Sequence, residues 1–304
     1  MNGEKFFTFK DEIREALKEG KPIVALESTL ISHGFPYPEN KEVAGEMEEI
    51  IRGYGVVPAT IAIIKGKIKV GLTRYELEFM ATSKDILKAS RRDLAAIVAQ
   101  GLNGATTVAA TMIIAERAGI KVFATGGIGG VHRGAEKTFD ISADLQELAR
   151  TPVAVVCSGA KAILDLPLTK EYLETMGVPV IGFRSEVLPA FYCRESGLKV
   201  DYRVNDEMEA AKIIRAMVDL KLGGGIIIAN PVPEEYAISL EYMNKKIKEA
   251  VMAAEKDGVK GKKLTPYLLN KIKELTEGKS LKANIALVKD NARVAAKIAR
   301  ELKR

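Results

Sequence analysis

Glu27 stands at the end of an apolar run, Pro22-Ile-Val-Ala-Leu-Glu27, which reads as a buried strand before the breaking stretch Ser32-His33-Gly34-Phe35-Pro36. A carboxyl group taken out of water resists ionisation, and one that keeps its proton near neutrality is a proton donor. The competing explanation is a strand-end glutamate paired with a nearby lysine. Lys161 occupies a comparable place, in Ser158-Gly-Ala-Lys161 directly after the apolar run Pro152-Val-Ala-Val-Val-Cys157. There a strand is expected to turn into a helix, at the crevice outside the carboxyl ends of an α/β sheet. The positive end of a helix and loss of water both favour a neutral amine, the form that attacks a carbonyl carbon and forms a Schiff base. An ordinary surface lysine at a helix start is the plainer alternative.

Between them runs Lys121–Glu147, KVFATGGIGGVHRGAEKTFDISADLQE. Val122-Phe-Ala124 reads as a short buried strand, and Gly126, Gly127, Gly129 and Gly130 follow it. Glycines with positive φ would let successive amides form a concavity for a phosphate or carboxylate. A dinucleotide fingerprint fails on spacing, because His132 stands where the third glycine is required, and a tight loop without ligand is the structural alternative. Asp140 and Asp144 are four apart and share one face if this segment is helical. Upstream, Lys88, Arg91 and Arg92 cluster at an expected helix start, where one of them is suited to a substrate phosphate. Thr106 and Thr107 offer hydroxyls at the start of a small, apolar segment that reads as a helix.

The elements that position these groups alternate between strand and helix. An amphipathic helix is expected from the start, with another over Asn40–Gly53 and a hairpin over Pro58–Leu72 turning at Lys65-Gly66-Lys67. Further strands are expected at Pro179–Gly182 and Gly225–Asn230, with helices over Asn205–Leu222, Glu234–Glu255, Thr265–Glu277 and Ser280–Lys303. The pattern predicts a three-layer α/β/α fold, its central sheet mostly parallel or mixed and the hairpin an elaboration. With no linker or repeat to divide the chain, 1–304 is expected to form a single catalytic domain.

Of 304 residues, 47% are hydrophobic, enough for a large core, and no stretch is long and apolar enough to span a bilayer or serve as a signal peptide. A cytoplasmic location is expected. Two cysteines, Cys157 and Cys193, are too few for a disulfide framework. The net charge of +6 suits an anionic small molecule, but dispersed lysines and the absence of tryptophan argue against polymeric nucleic acid.

The segments Ala25-Leu-Glu-Ser-Thr-Leu-Ile-Ser-His-Gly-Phe-Pro, Ser90-Arg-Arg-Asp-Leu, Thr125-Gly-Gly-Ile-Gly-Gly-Val-His-Arg-Gly-Ala-Glu, Phe139-Asp-Ile-Ser-Ala-Asp-Leu and Ser158-Gly-Ala-Lys-Ala-Ile-Leu-Asp together resemble the pseudouridine-5'-phosphate glycosidases, also called the indigoidine synthase A-like family. The likeness runs from about Pro22 to the C-terminal helix. It implies reversible cleavage of the carbon–carbon glycosidic bond of pseudouridine 5'-phosphate to uracil and ribose 5-phosphate. It also implies Glu27 as proton donor, Lys161 as the nucleophile that forms an imine with the opened sugar, and Asp140 as ligand of a divalent metal, manganese above all. Lys88, Val108 and Ser142-Ala143-Asp144 would contact substrate, with Thr107, Thr125, His132 and Asn284 as further candidates. A homotrimer is implied as well. The alternatives are a sugar-phosphate or nucleoside kinase, although no G-x-x-x-x-G-K-[ST] loop is present, and a non-catalytic nucleotide-binding protein.

Overall fold

A computed structural model describes residues 4–259 and 264–303. The strands are β1 (Phe7–Phe9), β2 (Ile23–Leu26), β3 (Val57–Ile64), β4 (Lys67–Val70), β5 (Leu87–Ala89), β6 (Gly104–Thr106), β7 (Val122–Ala124), β8 (Ala154–Cys157), β9 (Val180–Phe183), β10 (Tyr202–Val204) and β11 (Ile226–Ala229). The helices are α1 (Asp11–Lys18), α2 (Glu39–Gly53), α3 (Arg74–Thr82), α4 (Leu94–Ala99), α5 (Val108–Arg117), α6 (Ala135–Thr138), α7 (Ala143–Leu148), α8 (Leu166–Thr175), α9 (Glu207–Asp219), α10 (Leu240–Lys256), α11 (Leu264–Leu275) and α12 (Lys279–Lys303).

The strands join one mixed sheet in the order β1-β4-β3-β2-β7-β8-β11-β9-β10, with β6 paired to β3 and β5 to β6. From β2 through β10 along this path every pairing is parallel. Strand β3 joins two regimes: Val57–Thr60 run parallel to β2, and Ile61–Ile64 run antiparallel to β4. The hairpin turns on Lys65 and Gly66, both with positive φ (49° and 71°), the geometry whose twist matches that of the flanking strands.

Strands β2, β7, β8, β9 and β11 are buried at every residue, as strands are when both faces of a parallel sheet are covered. Helix α12 lies across β2, β7 and β8 with α2 and α9 beside it, while α5 packs against β2 with α7 as neighbour. The three-layer α/β/α architecture is as expected. No helix among the described residues is long and apolar enough to cross a membrane.

Several local expectations differ from the structure. The first apolar residues form β1, paired parallel to β4, before α1 begins. The expected helix start around Lys88, Arg91 and Arg92 splits into β5, a 3-10 turn at Arg91–Asp93 and α4, and Gly104–Thr106 is strand β6 rather than the beginning of a helix. Three-residue strands are too short to display a period of two. Helix α3 was not foreseen, although Thr73 and Glu76 form the reciprocal capping box that their spacing permits.

Candidate active site

The side chains of interest collect where parallel strands end. Glu27 follows β2, Thr125 follows β7, Ser158 to Lys161 follow β8 and Asn230 follows β11, so four adjacent strands present their next residues at one edge of the sheet. Glu27 is only 8% exposed, and the Thr125 hydroxyl donates a hydrogen bond to its carboxyl. Burial pushes the Glu27 carboxyl above the ordinary range. Lys161, the bond from Thr125 and Lys88 pull the other way, and Asp144 adds to the rise. Burial is the largest of these effects, so Glu27 favours its protonated form. Its backbone is held by neighbours: the Thr106 amide donates to Ser28 Oγ (2.9 Å) and the Thr29 hydroxyl donates to the Thr106 carbonyl (2.8 Å), tying the end of β2 to β6.

Lys161 is half-buried, and its position differs from the expected one. It lies in the turn after β8, its amide bonded to the Ile128 carbonyl (3.1 Å), whereas α8 begins only at Leu166, capped by Asp165. A helix N-terminus therefore plays no part at Lys161, and its amine is placed instead by the pairing of Ile128 with Ala160. Within the basic cluster the roles separate. Arg91 grips the buried Glu147 through two hydrogen bonds (2.5 and 2.8 Å), and Arg92 points outward near Asp93. Lys88, on β5, acts electrostatically on Glu27, His33 and His132. Both histidines are pushed towards the neutral form, first by burial and then by Lys88, and in the case of His132 by Lys161 too, with Asp140 opposing.

The glycine stretch works differently from expectation. None of Gly126, Gly127, Gly129 and Gly130 has positive φ, and the amides of Ile128, Gly129, Val131 and His132 all bond within the protein. Their smallness serves close packing: a Cβ on Gly126 would lie 2.9 Å from Val288, and one on Gly127 2.7 Å from the Phe191 ring. Those four amides are thus committed within the protein rather than to an anion. Asp144 binds the segment to the rest of the fold, one carboxylate oxygen accepting from the Gly129 amide (2.8 Å) and the other from the Ala109 amide at the start of α5 (2.9 Å). Asp140 lies outside any helix, so Asp140 and Asp144 do not share a helical face. Ser142 caps α7 and Ala143 opens it, Thr107 caps α5, and Val108 is buried at that helix's first position.

Asp140 is exposed, its charge acts on His132, and its carbonyl accepts from the His132 amide (3.0 Å). Among the described residues no three His, Cys, Asp or Glu side chains gather as a metal cluster. One carboxylate beside a neutral imidazole still fits a hard divalent ion that keeps several waters and completes its shell from substrate oxygens. Cys157 and Cys193 are free and buried, their thiols pushed up to about 12 and about 11 by desolvation.

A cavity of about 280 Å³ adjoins this edge, lined by His33, Phe35, Tyr192, Asn270, Lys273 and Asn284 among others. Asn284 comes from α12, as does the fully buried Asn291 seven residues later on the same helix face. The amide of Asn291 donates to the Thr125 carbonyl (2.8 Å) and accepts from Asn230 (3.0 Å). Neither Asn291 nor Asn230 was singled out from the sequence. The available signal was an asparagine on the apolar face of an amphipathic helix, which must find partners when buried.

A family model described as "Indigoidine synthase A like protein" matches residues 12–301. The chain is 70% identical over 298 residues to a pseudouridine-5'-phosphate glycosidase of Caldanaerobacter subterraneus subsp. tengcongensis, covering 98% of this chain and 97% of that protein. It is 64% identical to a protein of the same description from Petrotoga mobilis, over 99% and 98% of the two chains. The crystal structure of the prealnumycin C-glycosynthase AlnA in complex with ribulose 5-phosphate superposes with a TM-score of 0.91 at 42% identity, covering 98% and 97%. That of an indigoidine synthase A-like protein from Thermotoga maritima gives 0.89 at 39% identity, with the same coverage.

Proposed function

This chain belongs to the indigoidine synthase A-like family, and from that premise we propose that it is a pseudouridine-5'-phosphate glycosidase, an enzyme that cleaves the C-glycosidic bond between uracil and ribose 5-phosphate. The observation that carries this reading is the meeting of Glu27, buried and favouring its proton, with Lys161 at the ends of β2 and β8. A C-glycoside offers no leaving oxygen or nitrogen at the base, so the paired-carboxylate scheme of ordinary glycosidases has nothing to protonate there. An acid for the ring oxygen and an amine for C1' supply another route.

Glu27 gives its proton to the ribose ring oxygen as the C1'–O bond breaks, electrons of the uracil ring filling the gap at C1'. The amine of Lys161 then adds to C1' and gives up a proton. Uracil C5 takes up a proton while the electrons of the C1'–C5 bond return to the base, and the nitrogen lone pair closes an imine at C1'. Water hydrolyses that imine, freeing ribose 5-phosphate and restoring the lysine. Thr125 holds the Glu27 carboxyl throughout through its hydroxyl.

In this reading Lys88 faces the substrate phosphate as a point charge, since Arg91 is committed to Glu147. Ser142 and Ala143 line the approach beside Asp140, and Asp144, Thr107 and Val108 shape the wall around it. His132 stands by as a neutral hydrogen-bonding group, and Asn284 offers its amide to the pyrimidine in the adjoining cavity. A divalent ion, manganese in the family resemblance, would be held by Asp140 with waters and would neutralise and order substrate oxygens. Replacing Asp140 by Asn is expected to raise the manganese concentration needed for half-maximal activity at least about tenfold, because an amide is a neutral and poorer ligand for a hard cation. Full activity of the variant at low manganese would remove Asp140 from the metal site.

The decisive experiment is incubation of the purified protein with pseudouridine 5'-phosphate and manganese, followed by chromatography for free uracil. No uracil above a blank, at any manganese concentration, would overturn the assignment. A cytoplasmic homotrimer completes the proposal, and the 33.0 kDa chain is then expected to scatter light as a particle of about three times that mass. A monomer by light scattering would refute the trimer.

A further inference from the structure

Among the described buried polar groups outside the reacting set, Asn291 is the most connected. It is fully buried on α12, where the neighbouring sheet-facing residues Leu287, Val288, Val294 and Ala295 are apolar. Its amide nitrogen donates to the carbonyls of Thr125 (2.8 Å) and Gly126 (3.4 Å) and lies 3.2 Å from Ser158 Oγ, while its oxygen accepts from Asn230 (3.0 Å). Asn230 in turn bonds Asp290 (2.8 Å), and its backbone amide donates to the Cys157 carbonyl (2.8 Å). One side chain therefore joins the residues that follow β7, β8 and β11. A buried amide is costly unless its hydrogen bonds are made, and here they are made to the backbone and side chains of residues that follow the strands, not to other parts of α12.

Those strand ends are the ones that matter for reaction geometry. Thr125 carries the hydroxyl bonded to Glu27, and Ser158 begins the turn that carries Lys161 three residues later. Ser158 and Lys161 each return a backbone bond to the glycine stretch, at Gly126 (2.9 Å) and Ile128 (3.1 Å). We propose that Asn291 is a positioning residue for the Glu27–Lys161 pair, fixing the ends of β7 and β8 at the separation that proton donation and amine attack require. This rests on the glycosidase assignment above and adds a residue that touches neither substrate nor the reacting atoms. Small displacements of a reacting group cost rate far more than they cost binding, so the effect falls on kcat.

The test compares Asn291→Leu and Asn291→Asp with the native protein, each assayed well below its own Tm after circular dichroism has shown it folded. Asn291→Asp keeps the shape and loses the amide donors, so it carries the test if the leucine variant does not fold. The expected result is a kcat lower by about 10- to 100-fold with KM within about threefold, and an altered pH at which kcat falls on the alkaline side, because Glu27 has lost the partner that Thr125 provides. Combined with Thr125→Val, the loss is expected to be much less than the product of the two single losses. A folded variant with native kcat and pH profile and only a lower Tm would reduce Asn291 to a fold element. Raised KM at unchanged kcat, or independent losses in the double variant, would overturn the proposal equally. An inactive native protein would instead sink the glycosidase assignment, so the two failures are distinguishable.

Discussion

Replacing Lys161 by alanine is expected to lower turnover of pseudouridine 5'-phosphate by at least about 10⁴-fold, on the scale that follows loss of a covalent nucleophile. The reason is chemical rather than structural. Half-buried in a turn, Lys161 contributes backbone bonds to Ile128 and Leu164 that survive truncation of the side chain, so the variant is expected to fold. On the proposed mechanism, what is lost is the amine whose lone pair lets the bond electrons return to uracil while C1' keeps its valence. Borohydride added during turnover is expected to fix a ribose 5-phosphate adduct to the native protein, and peptide mass spectrometry to place it on the peptide containing Lys161. Lys161→Arg is expected to restore neither trapping nor rate, because guanidinium stays protonated and cannot attack carbon. An adduct on Lys88, or on no lysine, would show the imine mechanism to be wrong.

Exchange of Glu27 for glutamine is expected to lower kcat by about 10²- to 10⁴-fold while substrate still binds, since the amide keeps the shape and loses the transferable proton. The same substitution has an opposite effect on stability. Burial raises the carboxyl pKa of Glu27 in the folded protein, so its stabilising contribution is complete below the unfolded value of about 4.3 and is lost as pH rises through the folded value. Across that window the native protein is expected to lose up to about 1.4 kcal/mol per pH unit relative to Glu27→Gln. Urea unfolding of both proteins at several pH values measures the difference, which is expected to grow with pH and then level off. A difference that stays constant with pH would mean that Glu27 is ionised in the folded state and is no proton donor. The alkaline fall in native kcat/KM, which reports the free enzyme, is expected at the same pH as the levelling.

The layered fold was legible because β2, β7, β8, β9 and β11 are unbroken apolar runs, and such runs alternating with helices admit few arrangements. Glu27 and Lys161 were visible for the same reason, each the first ionisable residue after one of those runs. The three-residue strands β1, β5, β6 and β10 were not, because pairing with a partner, not periodicity, makes them strands. Lys161 was misplaced locally: the turn after β8 runs to Asp165 before a helix begins, a length set by the pairing of Ile128 with Ala160 and of Val131 with Asp165. The glycines misled in another way. Their number suggested unusual backbone angles, whereas the structure uses them for side-chain clearance against Val288 and Phe191, residues far along the chain.

The bond from Asn291 to Thr125 spans 166 positions of chain. During synthesis at about 5 to 20 residues per second, Glu27, Thr125 and Lys161 are all polymerised several seconds or more before α12 exists. Throughout that interval the Thr125 carbonyl lacks its partner on α12. A nascent chain thus has its acid and its amine before it has the contact proposed to fix their separation, which arrives late, with α12. Dependence on so distant a contact also slows folding, since the entropy of closing a long loop is lost before the contact is gained.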